Sequence, residues 1–443
     1  MKFLIKTLGC KVNQVESAFI MEQLTNKGFK HAEGEETADI LILNSCAVTE
    51  RAYKETLKIL RNWEAKRPKA IIVTGCSAQI YGEKLKEFAK HLEVENFFIL
   101  GHEQKFSLEN YLRGITDKED NKFIETISKF DKCFPFLIKE FYGHSRAFVK
   151  IQDGCSNFCS YCIVPYARGP SRSIPEEHVI KQIEIFLKQG YEEIVLTGIH
   201  LGAYGADFKP PKKLVHLLFH IEELFSKLGK PLNLRLSSLE VNEIDDDFIS
   251  FAKESKYLCH HFHIPLQSGS NKILKMMNRK YISEEYLEKV NLLASLFPKA
   301  TFGADVIVGF PGEGEKEFRE TYEVIEKSPL NWLHLFPFSP RPGTVAEKLE
   351  PKISEKVIKE RIKLLKELFE TKRKKFLEKN IGEERRTILE EEVGEMFKGL
   401  TDNYIFVYFK KEEGFPFRKG KLVYAKLLEL RNGLVLAEAS KEN

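Results

Sequence analysis

The stretch Asp153-Gly154-Cys155-Ser156-Asn157-Phe158-Cys159-Ser160-Tyr161-Cys162 sets three cysteines in a C-x3-C-x2-C pattern, directly after the strand-like run Ala147–Gln152. Three thiolates from one loop can each bind one iron of a four-iron cube and leave the fourth iron open to a chelating small molecule. A structural zinc site closes four ligands, and the nearest candidates for a fourth, His144 and His200, stand at no usual finger spacing. Outward from this loop the chain repeats one unit. Strand-like runs recur at Glu193–Thr197, Leu232–Ser238, Cys259–Pro265, Ala304–Gly309 and Asn331–Phe336. Helical stretches separate them, such as Glu176–Gly190, Lys213–Leu228, Glu284–Phe297 and Glu315–Glu326. Six strand–helix units predict a (βα)6 barrel or open partial barrel, with its chemistry at the C-terminal mouth. Polar or glycine-rich residues follow the runs at Thr197-Gly198, Ser237-Ser238-Leu239-Glu240, Gln267-Ser268-Gly269 and Pro311-Gly312-Glu313. These are the expected site loops.

Upstream, apolar runs at Phe3–Leu8, Ile40–Leu43, Ala70–Thr74 and Asn96–Leu100 alternate with amphipathic stretches such as Glu16–Gly28 and Glu50–Lys66. That alternation predicts a parallel α/β sheet. Cys10, Cys46 and Cys76 closely follow the first three runs. Parallel strands end along one edge, the edge where open α/β sheets bind ligands, so three cysteines distant in sequence are expected to converge. A connector from about residue 103 to 145 holds Cys133, read as a small packing residue.

Downstream, Ile353–Lys379 reads as a charged helix with the apolar stripe Ile358, Ile362, Leu365 and Phe369. Its lysines and arginines form either a solvated face or a phosphate-contacting one. The runs Arg386–Glu392, Tyr404–Lys410, Leu422–Leu430 and Leu434–Ala439, with turns such as Arg431-Asn432-Gly433, predict a small antiparallel β barrel. Tyr404, Phe406, Tyr408 and Phe417, with Arg385, Lys398, Arg418, Lys419 and Lys421, suit a stacking and phosphate-binding face.

The whole chain has 443 residues, 43% hydrophobic and 30% charged, with 69 Lys+Arg against 65 Asp+Glu. This composition excludes fibrous and wholly disordered classes and permits a polyanionic partner without demanding one. No apolar run reaches the ~18 residues of a membrane span. The N-terminus, with Lys2 and Lys6 around a very short apolar run, is a poor secretory signal, so a cytoplasmic protein with no membrane partner is expected. Clustered cysteines in a reducing compartment read first as metal or redox sites.

With its triad after the first strand of a (βα)6-like unit, the central region resembles the radical S-adenosylmethionine (SAM) superfamily. The resemblance implies a [4Fe-4S] cluster on Cys155, Cys159 and Cys162 whose open iron takes SAM. Thr7-Leu8-Gly9-Cys10-Lys11-Val12-Asn13-Gln14, Asn44-Ser45-Cys46-Ala47-Val48-Thr49 and Gly75-Cys76-Ser77-Ala78-Gln79 resemble the N-terminal domain of the methylthiotransferases. That implies a second [4Fe-4S] cluster on Cys10, Cys46 and Cys76. The C-terminal unit resembles the RNA-binding TRAM domain of the same family. Those N-terminal segments, with Cys162-Ile163-Val164-Pro165-Tyr166-Ala167-Arg168-Gly169 and Thr197-Gly198-Ile199-His200-Leu201-Gly202, look most like the threonylcarbamoyladenosine tRNA methylthiotransferase branch.

The implied architecture is an N-terminal parallel α/β domain (1–113), a radical SAM (βα)6 partial barrel (141–371) and a TRAM-like antiparallel barrel (372–443). The implied reaction converts N6-threonylcarbamoyladenosine at position 37 of tRNA to its 2-methylthio derivative. It calls for SAM, the anticodon stem-loop, an electron donor and a sulfur donor. Tyr161, Gly198, Glu240, Gln267 and Gly309 are the SAM candidates, and Arg168 a SAM or substrate contact. No catalytic residue beyond the cluster ligands is assigned. His260, His261 and His263 read as core or surface residues, and Cys259 as packing. The rival readings are a methylthiotransferase for isopentenyladenosine or a ribosomal aspartate, a non-catalytic iron–sulfur RNA-binding sensor, and a zinc-bound RNA-binding module.

Overall fold

The apolar runs of the first hundred residues pair in parallel. A computed structural model describes residues 1–116, 123–126, 135–141, 143–411 and 417–440; Cys133 lies outside them. The strands are β1 (Lys2–Thr7), β2 (Lys30–His31), β3 (Ile40–Ser45), β4 (Ala70–Gly75), β5 (Asn96–Leu100) and β6 (Phe123–Thr126), in the sheet order β2-β1-β3-β4-β5-β6. Every pairing is parallel. β3 and β4 are buried along their whole length, as strands covered on both faces must be. Alternate residues feed two cores. Leu41, Leu43, Ile71 and Val73 meet Ile59, Leu60 and Trp63 of α2 (Glu50–Glu64) and Leu85 of α3 (Cys76–Ala89). Ile40, Ile42, Ala70 and Ile72 meet Ile20 and Leu24 of α1 (Lys11–Asn26) and Leu108 and Leu112 of α4 (Leu108–Thr116). The strand order reverses between β1 and β3, which opens a crevice at their C-terminal ends.

The chain divides into two compact units. The first is Met1–Tyr142 with Gln152–Gln182 and Ser339–Glu347, so it contains the cysteine loop as well as this sheet. The second holds Gly143–Ile151, Ile183–Phe338 and Lys348–Asn443.

In the second unit six strands follow one another. They are β7 (Ala147–Lys150), β8 (Glu193–Thr197), β9 (Asn233–Leu236), β10 (His261–His263), β11 (Thr301–Val308) and β12 (Trp332–Pro337). All pair in parallel. The two three-stranded halves are joined where Leu234 N donates to Tyr257 O and Cys259 N to Leu234 O, both at 2.8 Å. This is the open (βα)6 arrangement read from the sequence. The long helix Glu355–Asn380 follows.

The last strands are β13 (Glu384–Val393), β14 (Met396–Thr401), β15 (Phe406–Lys410), β16 (Leu422–Arg431) and β17 (Leu434–Ser440); they close a barrel in the order β13-β14-β15-β17-β16. One pair, β15 with β17, is parallel. The sequence reading missed β14, whose Lys398 and Gly399 interrupt its apolar alternation.

This barrel seats on the N-terminal ends of the six parallel strands. Arg235 donates to the carbonyls of Thr401 and Asp402 at 3.0 and 3.1 Å, Thr301 Oγ1 to Asn403 O at 2.5 Å, and Arg386 to Leu232 O at 2.8 Å. Tyr404, held in a turn at φ 64°, stacks on His261 with ring centroids 4.1 Å apart. This seating corrects the reading of Tyr404 as an exposed stacking residue. Lys398 lies over Phe406 and pairs with Glu391, Phe417 stacks on Phe397, and Lys421 pairs with Glu192. On the long helix, Lys359, Lys363 and Lys374 face glutamates one turn away, the arrangement of a solvated face. Among the described residues no helix is long and apolar enough to cross a membrane.

Candidate functional site

Cys10, Cys46 and Cys76 leave three adjacent strands at one level. Thr7 is level with Asn44 and Asn44 with Thr74, while Ser45 is level with Gly75. Cys10 caps α1 and Cys76 opens α3, so two of the three thiols stand at helix N-termini, which favour anionic ligands. Two glycines permit the crowding. Gly9 (φ 98°) passes so close to Cys46 that an added Cβ would stand 2.9 Å from its Sγ, and one on Gly75 (φ 87°) would stand 2.5 Å from Ser45 O. Cys46 and Cys76 are buried and Cys10 is exposed. Burial, with the neighbouring Cys76 thiol adding to it, pushes the Cys46 thiol up to about 12. Burial likewise raises Cys76, against the pull of Arg168. Such thiols hold their protons until a cationic metal centre replaces them.

The second triad sits on a loop pinned at its base. Gln152–Asp153 pairs antiparallel with Arg172–Ser173. Cys155 N donates to Gly169 O at 3.0 Å, and Gln152 Nε2 donates to the carbonyls of Asp153 and Gly154 and to Ser171 Oγ. Gly154 (φ 69°) is mandatory, because a Cβ there would lie 2.0 Å from Pro170 O. Gly154→Ala should therefore lower iron occupancy and the unfolding temperature, whereas Gly34→Ala, with nothing within 4 Å, should change neither; anaerobic iron assay and thermal melts check this. Cys155, Cys159 and Cys162 are partly exposed. Among the described residues, no three His, Cys, Asp or Glu side chains gather as a single metal ion would need; a cube takes one thiolate on each of three irons. The donor set, two all-thiol triads of which one is partly exposed and the other reaches the surface at Cys10, fits that demand.

A buried charge network ties the two triads together. Arg168 ends the short helix α5 (Val164–Arg168), which follows Cys162. Its guanidinium is buried and binds both Glu16 oxygens at 3.1 Å, Asp153 Oδ1 at 2.9 Å and Asn13 Oδ1 at 2.5 Å. Glu16 also accepts from Lys105 Nζ at 2.6 Å, and Lys105 donates to His102 Nδ1. Asn13 Nδ2 in turn donates to Leu8 O and Ser45 O, the residues before Gly9-Cys10 and Cys46. Two cations thus meet two carboxylates, while burial holds His102 well below its usual value and neutral. Burial opposes the charge on Arg168, but Glu16 and Asp153 hold it firmly protonated. Arg168 therefore points into the unit's interior, which corrects its reading as a SAM or substrate contact. The sequence reading missed Asn13, Glu16, Lys105 and His102. The legible signal was Asn13 and Glu16, polar at i, i+3 on the inward face that Val12 and Val15 share.

In the first unit Tyr161 lies between Cys159 and Cys162 and is partly exposed. The other SAM candidates belong to the second unit. Gly198 follows β8. The half-buried Glu240, raised by desolvation despite Arg279, forms an ion pair with Arg279, and its neighbour Glu243 pairs with His200. Gln267 (φ 61°) donates its N–H to Asp305 O at 2.8 Å. Gly309 (φ 80°) donates to Glu313 Oε1, and a Cβ on it would stand 2.3 Å from Ile358.

A parallel (βα)6 unit with a C-x3-C-x2-C loop after its first strand defines the radical SAM class. The family model described as "Radical SAM superfamily" matches residues 149–325, and "Uncharacterized protein family UPF0004" matches residues 2–96. Threonylcarbamoyladenosine tRNA methylthiotransferase MtaB of Aquifex aeolicus is 37% identical over 96% of this chain and 99% of its own. The tRNA-2-methylthio-N(6)-dimethylallyladenosine synthase of Clostridium tetani is 36% identical over 83% of this chain and 80% of its own. Among solved structures, the radical SAM methyltransferase TsrM from Kitasatospora setae shares the fold, with a TM-score of 0.55 at 11% identity, covering 78% of this chain and 73% of that one. The chain belongs to the radical SAM methylthiotransferase family.

Proposed function

We propose that this protein is an enzyme that places a methylthio group at C2 of N6-threonylcarbamoyladenosine beside the anticodon of tRNA. The observation that carries the reading is the union, in one compact unit, of two thiol triads joined through Arg168, Glu16, Asp153 and Asn13. Replacing C–H by C–S–CH3 needs hydrogen abstraction and sulfur delivery by separate agents that face one carbon. In this reading Cys155, Cys159 and Cys162 hold one [4Fe-4S] cluster and Cys10, Cys46 and Cys76 a second. Bound there, the clusters and SAM supply the radical, the sulfur and the methyl group. The chain's own residues do the positioning: the Arg168 network locks the loops, and Gly9, Gly75 and Gly154 let backbone crowd the thiols. SAM contacts are assigned to Tyr161, Gly198, Glu240, Gln267 and Gly309. The functional modules are 1–113, 141–371 and a TRAM-like 372–443. The setting is the cytoplasm, where an electron donor and a sulfur donor complete the cycle. Support for the substrate comes from the full-length likeness to the Aquifex relative.

The test is nucleoside mass spectrometry of tRNA from a strain lacking this protein. The expected result is loss of 2-methylthio-N6-threonylcarbamoyladenosine and accumulation of its unthiolated precursor. Loss of the isopentenyl derivative instead would move the enzyme to the other branch.

A further inference from the structure

The inner face of the second unit's parallel strands carries a cluster that the assignments above leave unused. The alternation on β10–β12 separates two faces. Phe262, Phe302, Ala304 and Val306 are buried, and Phe262 stacks on Phe302 and meets Phe297, which caps the C-terminus of the helix Ser283–Leu296. The opposite face presents His263, Asp305, Trp332, His334 and Phe336. Asp305 is level with His334. His263 Nε2 stands 3.2 Å and His334 Nδ1 4.0 Å from the same oxygen, Asp305 Oδ1.

Two features show that this arrangement is built. Gly303 is level with His263, and a Cβ there would stand 2.7 Å from His263 Nδ1, so the ring lies across a gap that only glycine leaves. Trp332 Nε1 donates to His334 Nε2 at 2.6 Å, which makes that nitrogen the acceptor and puts the His334 proton on Nδ1, the atom facing Asp305. Below, Tyr404 closes the strand ends against His261 and Trp332. Above, Phe336 leaves 39% of its surface exposed. The result is a carboxylate acceptor between two imidazoles, with the partly exposed ring of Phe336 two residues further along the strand and 6.3 Å from the His334 ring.

We propose that Asp305, His263 and His334 form the seat for the polar N6 substituent of the substrate purine, with Phe336 as its stacking surface. This rests on the functional reading above and deepens it by naming what selects the substrate. A threonylcarbamoyl group adds a ureido N–H and a hydroxyl that a carboxylate accepts; an isopentenyl group adds neither and would displace water from Asp305 without replacing its hydrogen bonds. Unstacked bases are held on aromatic faces and read by hydrogen bonds at their edges.

The test uses the reconstituted holoenzyme and synthetic anticodon stem-loops bearing threonylcarbamoyladenosine or isopentenyladenosine at the same position. The readout is the ratio of kcat/KM values between the two RNAs. Wild type should favour the threonylcarbamoyl RNA. Asp305→Leu should cut the ratio about 10- to 100-fold, the worth of one hydrogen bond to a charged group, mainly through KM. His334→Leu, at a half-exposed ring that can change without opening a core, should cut it in the same direction and keeps the test valid if Asp305→Leu misfolds. A wild-type preference for threonylcarbamoyl RNA with unchanged ratios in both variants overturns the proposal alone. A wild-type preference for isopentenyl RNA overturns the functional reading and the proposal together.

Discussion

Cys155→Ala should lower the iron content of anaerobically reconstituted protein from about eight to about four per chain, and Cys10→Ala should do the same. The double variant should hold almost none, and each single variant should abolish methylthiolation. The magnitude follows from the ligand count. Each triad supplies three thiolates to a cube whose fourth iron already lacks a protein ligand, and two thiolates do not retain it. The two losses are separable because each triad has its own scaffold: β1, β3 and β4 for one, the ribbon-pinned loop for the other. Iron and sulfide assays with electron paramagnetic resonance read the result. Eight irons retained in either single variant would sink the ligand assignment, as would a zinc content matching the thiols.

The second large effect belongs to a residue that binds no metal. Arg168→Met should destabilise the first unit by about 3–5 kcal/mol, the usual consequence of removing one partner from a buried ion pair. The methionine fills much of the volume, but Glu16 and Asp153 remain buried with Lys105 as their one remaining full charge among the contacts described. Arg168→Lys keeps the charge without the two-pronged fork that spans Glu16, Asp153 and Asn13, so it should recover only part of the loss. Denaturant unfolding of the metal-free protein measures this apart from cluster chemistry. A change under about 1 kcal/mol, the level of an ordinary surface substitution, would show that the network only fills space.

Much of the fold was legible because its signals are local. The apolar runs that became β3 and β4 are bounded by turn residues, and three cysteines at three strand ends needed only the rule that parallel strands share an edge. The same holds for the cysteine loop and the six strands that follow it. Long-range pairing was not legible. Arg168 sits in a motif that invites a ligand-binding role, and only the fold brings it 3.1 Å from Glu16, 152 residues away. Tyr404 looks like a nucleic-acid contact in sequence because aromatic residues serve packing as readily as recognition; the docking that uses it internally depends on His261, 143 positions upstream. Asp305 and His334 lie on strands recognised from sequence, but their shared face emerges only from the register between β11 and β12.

The seating of the terminal barrel bears on the order in which the molecule can be made. Arg235, buried and paired with the buried Glu193, donates to the carbonyls of Thr401 and Asp402 and lies over the ring of Tyr404. On a ribosome those partners are synthesised some 170 residues after Arg235. Until they emerge, the nascent central strands stand over an unsealed base with a charged pair open to water. A chain that stops short of the final barrel therefore lacks the acceptors that Arg235 uses, and its central strands lose the cover that Tyr404 gives His261.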